Sequence, residues 1–535
     1  MTKQGISRRK ANALFGGLAA SIATGAAGRS VQAQQPAATF VLAHRQTQNT
    51  LDPAFHQFEA DAFNIVNCYE PLVYPVRGAP PRPHLAERWS VSEDGLVYTF
   101  ELRRNVKFAD GRPLTARDVA WSMDRMLRIN RGYAPLWAGL LEPGATQAVS
   151  DNVVRMTVKR RFGPFLESLV QFFVLNSELL KTNQAAGEYG DNGDYGTGYL
   201  ARNTAGSGPY VLEAIVPDTR RVFVRNPNYW EGWPAGKYER VVIEIVNEST
   251  TARGLVLSGR ATMIDQWHPT DFYKSWGNPA QARVIESVNN QLYLMQFNNQ
   301  RPPFDDVAFR RAVSWAFDYE TALRDIFGGA AQAHGAIPSP MPGYDGTTMA
   351  YTRDLSKARA ELARSRYRPA DVAIDFSFLN ACVHEAMGLL LQANLAEIGI
   401  RVNLKSEQWP TLTRAASAAA TSPHIFPIYN TANYPSPDAY IYRHFHPGNA
   451  GGWQAASWYA NREVHAMIDR ARETIDTEAR NRLYAAAGKV IVDDAAALLV
   501  AYPTHRVILG REVDGYEHPG ILAFDLRVYP LTRRA

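Results

Sequence analysis

A chain of 535 residues, 46% hydrophobic and 20% charged, is long enough for about three domains, and its composition excludes a disordered, collagenous or coiled-coil protein. The net charge of +5 belongs to one end: Lys3, Arg8, Arg9, Lys10 and Arg29 stand in residues 1–33 with no acid, and the remainder is formally neutral, so the body lacks the basic footprint that nucleic acid requires. Cys68 and Cys382 build no disulfide framework and form no CxxC pair.

In chain order, the first element is a leader. Ser7-Arg8-Arg9 precedes a mild apolar stretch, Ala11 to Ala27, and Val31-Gln32-Ala33 makes a small-residue cleavage site. Residues 1–33 therefore read as a signal peptide, and the paired arginines suggest the twin-arginine route, with Sec export as the alternative. The stretch is too short and glycine-rich to span a bilayer, no other apolar run reaches about 18 residues, and no membrane insertion is expected.

Val97 to Arg103 alternates, with Tyr98, Phe100 and Leu102 on one face of a strand between the turns Asp94-Gly95 and Asp110-Gly111. Thr115 caps a helix, with Asp118 in a capping-box position and Val119, Met123, Met126 and Leu127 as its apolar stripe. Val153–Val158, Val222–Val224 and Val241–Ile245 read as strands, and Gly187–Gly198 as a loop. Asp305 or Asp306 caps a helix with Phe309, Val313, Ala316 and Phe317 inward, expected to end at Gly328-Gly329. A further helix carries Met387, Leu391, Leu395 and Ile398 and stops at Gly399, where Ile400, Val402 and Leu404 begin a strand, an α/β unit. Helices are expected around Val464–Ile475 and Leu483–Val490, and strand-like segments near Ala501–Leu509.

Motifs of catalysis are missing. There is no GxxxxGK[ST] and no GxSxG, and His384-Glu385 does not complete HExxH. Asp191 and Asp194 lack calcium-loop spacing. His444-Phe445-His446 would put two imidazoles on one side of a strand, but reads as ordinary polar sequence beside a Pro-Gly turn. No catalytic residue, no metal and no cofactor is expected.

The segment His84-Leu85-Ala86-Glu87-Arg88-Trp89, running through Ser92-Glu93-Asp94-Gly95, Tyr98-Thr99-Phe100 and Val106-Lys107-Phe108 to Asp110-Gly111 and Asp118-Val119, resembles solute-binding protein family 5 of ABC transporters, the oligopeptide, dipeptide and nickel receptors. Collinear with it are Gly206-Ser207-Gly208-Pro209-Tyr210 with Tyr229-Trp230, then Phe297-Asn298 with Pro303 to Asp306 and Ala316-Phe317-Asp318, the Leu395–Ile400 segment, and Tyr434-Pro435 through Asp438. Taken singly, most of these residues read as turn and core residues that mark the family without marking the ligand site.

The resemblance implies an α/β protein of the type II periplasmic-binding fold, two-lobed, with an additional inserted domain and a ligand cleft between lobes that close by a hinge. Residues 34–77, 201–287 and 501–535 would form the first lobe, 78–200 the inserted domain, and 288–500 the second lobe, with hinge strands near Ser287–Tyr293 and Ala501–Thr504. It implies a periplasmic, non-enzymatic receptor that captures a peptide or other small organic solute and delivers it to the permease and ATPase subunits of an ABC importer. A monomer is expected. A periplasmic hydrolase, or a chaperone or sensor-partner on the same fold, are the alternatives. Candidate cleft residues are His44, Gln46, Gln48 and Asn49 after the first strand, Trp267, Trp409, and Tyr429, Asn430, Asn433 and Tyr434, since aromatic side chains suit enclosed organic ligands.

Peptide receptors of this family often hold the ligand's amine with an Asp just before the Tyr-Pro segment. This chain reads Thr431-Ala432-Asn433-Tyr434 there. An amide supplies no charge for an enclosed ammonium, so either the ligand is not a simple peptide with a free amine or another acid replaces that Asp, Asp438 being near. Cys68 and Cys382 would fall in different lobes, where a bridge would oppose closure, and are expected to be buried free thiols.

Overall fold

The computed structural model describes residues 38–56, 59–277, 279–339, 341–380, 383–518, 520, 521, 524 and 526–534. The expected signal peptide and Cys382 lie outside them. Cys68 is buried and unbridged, and burial pushes its thiol well above the ordinary value.

Alternation of apolar and polar residues builds the strand Val97–Leu102, with Tyr98, Phe100 and Leu102 all buried. It pairs antiparallel with Ala86–Val91 and Val153–Thr157, and Thr146–Ser150 completes a four-stranded sheet. The helix Ala116–Ile129 lies on this sheet with Val119, Met123 and Met126 inward. At its start the Asp118 carboxylate accepts from the Thr115 N–H at 2.9 Å, which satisfies a donor the helix cannot.

Two larger sheets make the rest. In the first, of seven strands, Thr39–His44 lies parallel between Arg240–Ile245 and Met263–Ile264. Leu42, Ala43 and His44 are all buried in succession, as befits a strand covered on both faces. In the second, of six strands, Gln291–Phe297 lies antiparallel between Ile425–Thr431 and Ala497–Tyr502. There Ala373–Leu379 and Arg401–Glu407 run parallel, joined by the helix His384–Ala396. Gly399 takes φ +80° at the end of that crossover, a conformation that suits glycine, and the Ile400 N–H turns back to the Leu395 carbonyl at 3.0 Å.

The chain passes between the two large sheets twice. Ala282–Val288 gives way to Gln291–Phe297 across Asn289-Asn290, and Ala497–Tyr502 gives way to Thr504–Gly510 across Pro503. Val288 lies opposite Thr504 and Tyr293 opposite Ala501, so the two crossings are side by side.

Several local expectations are corrected. The helix begun by Asp306 covers Val307–Ala316 and ends at Phe317, not at the Gly-Gly pair. Asp318 then accepts from the Thr321 N–H at 3.0 Å and starts a second short helical stretch, because an Asp that caps a new turn competes with continuation of the old one. His444 and Phe445 lie at the end of the helix Ile441–Phe445 rather than on a strand, so His444 and His446 do not share a face. Gly187–Gly198 contains a single 3-10 turn at Gly190–Asn192 and the start of a helical turn, Thr197–Leu200. The late helices run Arg462–Glu473 and Thr477–Asp493.

The family-like motifs converge on one buried acid. Glu70 accepts from the Ser207 hydroxyl at 3.0 Å, the Tyr229 hydroxyl at 3.1 Å and the Trp230 indole N–H at 3.1 Å, and its Oε1 lies 3.0 Å from His84 Nε2. Burial alone would raise its carboxyl, but His84, the Arg527 charge and the Trp230 N–H hold it below the usual range. The glycines of Gly206-Ser207-Gly208 are there for contact. A Cβ on Gly206 would stand 1.9 Å from the Cys68 carbonyl oxygen, and one on Gly208 2.5 Å from the Cys68 carbonyl carbon.

A second buried pair ties the helix of the four-stranded sheet to the segment that follows the first strand. Arg125 donates to both oxygens of Asp52, at 2.8 and 2.5 Å, and from Nε to the Tyr195 carbonyl at 2.9 Å. Both side chains are almost fully buried. Removal of one partner leaves a desolvated charge alone, so Arg125→Met is expected to cost about 3–5 kcal/mol, whereas Arg125→Met with Asp52→Leu recovers much of that loss. Urea titration of the three proteins checks this; a single variant as stable as the parent would contradict it.

Candidate functional site

At the junction of the two large sheets lies a small, half-open polar pocket with clear room for about one water molecule. Its walls come from both sheets and from the segments around them. Glu59 begins the helix Glu59–Cys68. Gln266 follows the central strand Met263–Ile264, and Asn289 sits in the first crossing. Gln291 and Thr431 face each other in register across the second sheet, with Gln291 Nε2 donating to Thr431 Oγ1 at 3.0 Å. His518 and Ile521 come from the C-terminal segment.

A directed hydrogen-bond chain orients these groups. The Tyr516 hydroxyl lies 2.8 Å from His505 Nε2, His505 Nδ1 meets Gln266 Oε1, and Gln266 Nε2 donates to Glu59 Oε1. His518 stacks on His505 with centroids 3.7 Å apart and planes 6° apart. Its Nε2 stands 3.2 Å from Asn289 Oδ1, while its Nδ1 is buried with no hydrogen-bond partner among the described residues. Burial, with the nearby charge of Arg77, pushes the His518 pKa down to about 3, so the ring is neutral. A neutral ring that donates from Nε2 to the Asn289 carbonyl oxygen presents a bare acceptor at Nδ1.

Apart from Ile521 the wall is polar: one carboxylate, three carboxamides, one hydroxyl and one imidazole. Among the described residues no group of three or more His, Cys, Asp or Glu side chains could hold a metal ion. A larger open groove, about 600 Å³, borders the helix Trp409–Ala415 beside Arg301, Asp375 and Lys405. Its walls come from the second sheet's side alone.

The residues singled out in the sequence are placed as follows. His44 is fully buried, its Nδ1 2.5 Å from Asp265 Oδ2. Gln46 is half-buried. Gln48 is buried, with neither amide atom hydrogen-bonded and its carbonyl accepting from Arg221 at 2.6 Å. Asn49 is exposed and donates its N–H to Asp61. The half-buried Trp267 accepts from Arg45 through its carbonyl. Trp409 packs edge-on against Trp453, with centroids 5.2 Å apart, and Tyr429 packs edge-on against Tyr293 at 4.9 Å. Asn430 donates to the Ala439 carbonyl, and the Asn433 carbonyl accepts from Gln171 at 2.5 Å. Tyr434 donates to Asp438 at 2.7 Å. None of the ten lines this pocket, whereas their chain neighbours Gln266 and Thr431 do. Glu59, Asn289 and His518 carried no signal in the sequence, because each is an ordinary polar residue until packing brings it to the junction.

Asp438 does not replace the missing acid of the Thr431–Tyr434 loop. It is 1% exposed, accepts from the hydroxyls of Tyr434 and Tyr484 at 2.7 and 2.5 Å, and lies 3.5 Å from Arg472 Nε. Its carboxylate is committed within the protein.

One arrangement bears on hydrolysis. Ser249 Oγ is 2.9 Å from His268 Nδ1, and Asp265 is near. Asp265, however, stands 3.7 Å from His268 Nε2, beyond hydrogen-bond reach, and is taken by His44 and by the Arg45 N–H at 2.7 Å. Burial would raise the Asp265 carboxyl, but His44, that N–H and His268 hold it below the usual range. Among the described residues the base has no orienting partner, so the series needed to activate a serine is incomplete.

Comparison with known proteins gives a consistent answer. A family model described as "Bacterial extracellular solute-binding proteins, family 5 Middle" matches residues 80–452. The chain is 30% identical over 490 residues to the probable D,D-dipeptide-binding periplasmic protein DdpA of Escherichia coli, covering 90% of this chain and 92% of that protein. It is 26% identical to heme-binding protein A of Haemophilus influenzae, covering 81% of each. The solved structure of the periplasmic binding protein DppA from Helicobacter pylori in complex with the peptide STSA superposes with a TM-score of 0.76 at 22% identity, covering 93% of this chain and 98% of that one.

Proposed function

The chain belongs to the bacterial extracellular solute-binding proteins of family 5, and from that membership we propose that it captures a small peptide, of the dipeptide class, in the periplasm and delivers it to the permease of an ABC importer. The observation that carries this reading is the small polar pocket with walls from both large sheets, beside the two crossings at Asn289-Asn290 and Pro503. A solute bound there touches both halves at once, and contacts made only when the halves are together drive closure.

The fold is the two-lobed α/β fold of such receptors. Within it the lobes would be residues 34–77, 201–287 and 501–535 against 288–500, with 78–200 as the inserted domain and the two crossings as the hinge. The loops after the strands ending at His44, Ile264 and Thr431 would wall the cleft. The polar wall supports a dipolar peptide over an apolar solute, and the D,D-dipeptide relative supports the size class. In this reading the protein binds without altering its solute, works as a monomer and reaches the periplasm through a twin-arginine leader over residues 1–33.

A thermal-shift and calorimetric screen with di- and tripeptides of both chiralities tests the proposal. A ligand at 100 times its Kd is expected to stabilise the native state by about 2.7 kcal/mol. Stabilisation by no peptide, alongside stabilisation by a solute of another class, would overturn it.

A further inference from the structure

Residues 78–200 and 288–500 meet at a buried seam far from where the backbone joins the two large sheets, at Asn289-Asn290 and Pro503. On one side stand Phe162, Gly163, Glu167 and Gln171, in and around the short helix Phe165–Ser168. On the other stand Arg472, near the end of Arg462–Glu473, and Arg480, near the start of Thr477–Asp493. Arg480 donates to the Glu167 carboxylate, and both side chains are more than nine-tenths buried. The Thr474 and Ile475 carbonyls, at 3.3 and 3.0 Å, hold the guanidinium in place. The Gly163 N–H donates to the Arg472 carbonyl at 2.6 Å, and a Cβ on Gly163 would stand 2.1 Å from the Thr474 carbonyl oxygen, so glycine lets the two backbones touch. Gln171 Nε2 donates to the Asn433 carbonyl at 2.5 Å, and the Arg472 guanidinium lies 4.9 Å from the centre of the Phe162 ring. The second observation is the pocket beside the crossings, which has clear room for about one water molecule. A dipeptide enters it only if the halves part, and parting opens the seam.

We propose that this seam is a clasp, in which the Glu167–Arg480 pair holds residues 78–200 against 288–500 when the protein is closed and separates when it opens, so that the protein's own ion pair, as well as the solute, sets the balance between the two forms. This rests on the two-lobed reading above. The Arg125–Asp52 pair ties the same inserted segment to the chain that follows the first strand, so the inserted segment moves with the seven-stranded half and the seam is where it meets the other. In the open form each charge of the clasp meets water. In the closed form each is desolvated and depends on its partner. Removal of one charge therefore acts on closure and not on the folding of either half.

The test uses the mature chain, residues 34–535, with small-angle scattering in the absence of solute and calorimetry with L-alanyl-L-alanine and D-alanyl-D-alanine. The parent without solute is expected to scatter as the packed form. Glu167→Gln leaves Arg480 without its carboxylate in the closed form alone. It is expected to melt cooperatively, to show a larger radius of gyration without solute, and to bind whichever dialanine the parent binds about 10-fold more weakly. Gly163→Ala, which changes no charge and sets a Cβ against Thr474, is expected to do the same. Glu167→Leu with Arg480→Met, which takes both charges out of the seam, is expected to return to the compact form. A parent that is already expanded, or Glu167→Gln and Gly163→Ala variants that scatter and bind as the parent does whatever their melting temperatures, overturns the clasp and makes the seam a fixed part of the fold. Failure of the parent to bind either dialanine overturns the peptide reading, and the scattering of the variants then decides the clasp by itself.

Discussion

Lowering the pH from 7.5 to 5 is expected to strip several kcal/mol from the stability of this protein. The cause is a set of buried histidines. Burial pushes His56, His444 and His518 down to about 3 and His384 and His424 down to about 4, with added repulsion from Arg443 at His444, Arg77 at His518 and Arg301 at His424. His505 is driven well below its ordinary value by burial and by His518. In the fold these rings stay neutral, while the unfolded chain takes up protons near pH 6.5. The unfolded state therefore binds more protons, so stability is complete above pH 6.5 and falls as the pH drops toward the folded values. Each histidine loses up to about 1.4 kcal/mol per pH unit, or about 2 kcal/mol between pH 6.5 and 5. Summed over the six the loss is on the order of 10 kcal/mol, comparable with the whole stability of a typical fold, and local relaxation reduces it. Urea midpoints at pH 7.5, 6 and 5 check this. A midpoint unchanged across that range would show that the rings take up protons in the folded state.

Replacement of Glu70 is expected to be the most damaging single substitution outside the cleft. Four side chains from three distant segments meet its carboxylate, and Arg527, which donates to the Tyr229 hydroxyl at 3.0 Å, stands beside them. Glu70→Ala would leave Ser207, Tyr229 and Trp230 as buried donors without this acceptor and Arg527 as a buried cation with Glu231 as its remaining nearby carboxylate. Each orphaned donor costs about 1–3 kcal/mol, and removal of one partner of a buried charge costs about 3–5 kcal/mol, so Glu70→Ala should not accumulate as folded protein. Glu70→Gln keeps one acceptor but turns an N–H toward other donors, and should lose about 3–5 kcal/mol. Denaturant titration of Glu70→Gln against the parent measures this; a loss below about 1 kcal/mol would mean that the hub is dispensable.

The same hub shows why the motif residues identify a family without marking its ligand site. His84, Ser207, Tyr229 and Trp230 serve one buried acid, and backbone passes within a side chain's radius of Gly206 and Gly208. Such residues hold a core together, whatever the cleft binds.

What the sequence determined by itself was local or cumulative. Alternation placed Val97–Leu102 as a strand, the Thr115–Asp118 spacing placed the start of Ala116–Ile129, and Gly399 placed the end of the crossover helix, since period and capping act over a few residues. The resemblance also pointed to the loops after His44, Ile264 and Asn430, of which the loop after His44 sends no side chain to the pocket. Which side chains in those loops face the junction was decided by the tertiary structure alone. Gln266 rather than Trp267, and Thr431 rather than Asn430, reach the pocket between the sheets, and Glu59 and His518 join them from opposite ends of the chain. Asp438, next to the missing acid in sequence, is taken out of contention by Tyr484 and Arg472, which arrive from separate helices. The chemistry of a buried polar group depends on its full set of neighbours, and those neighbours are assembled by packing between segments whose separation along the chain carries no local signal.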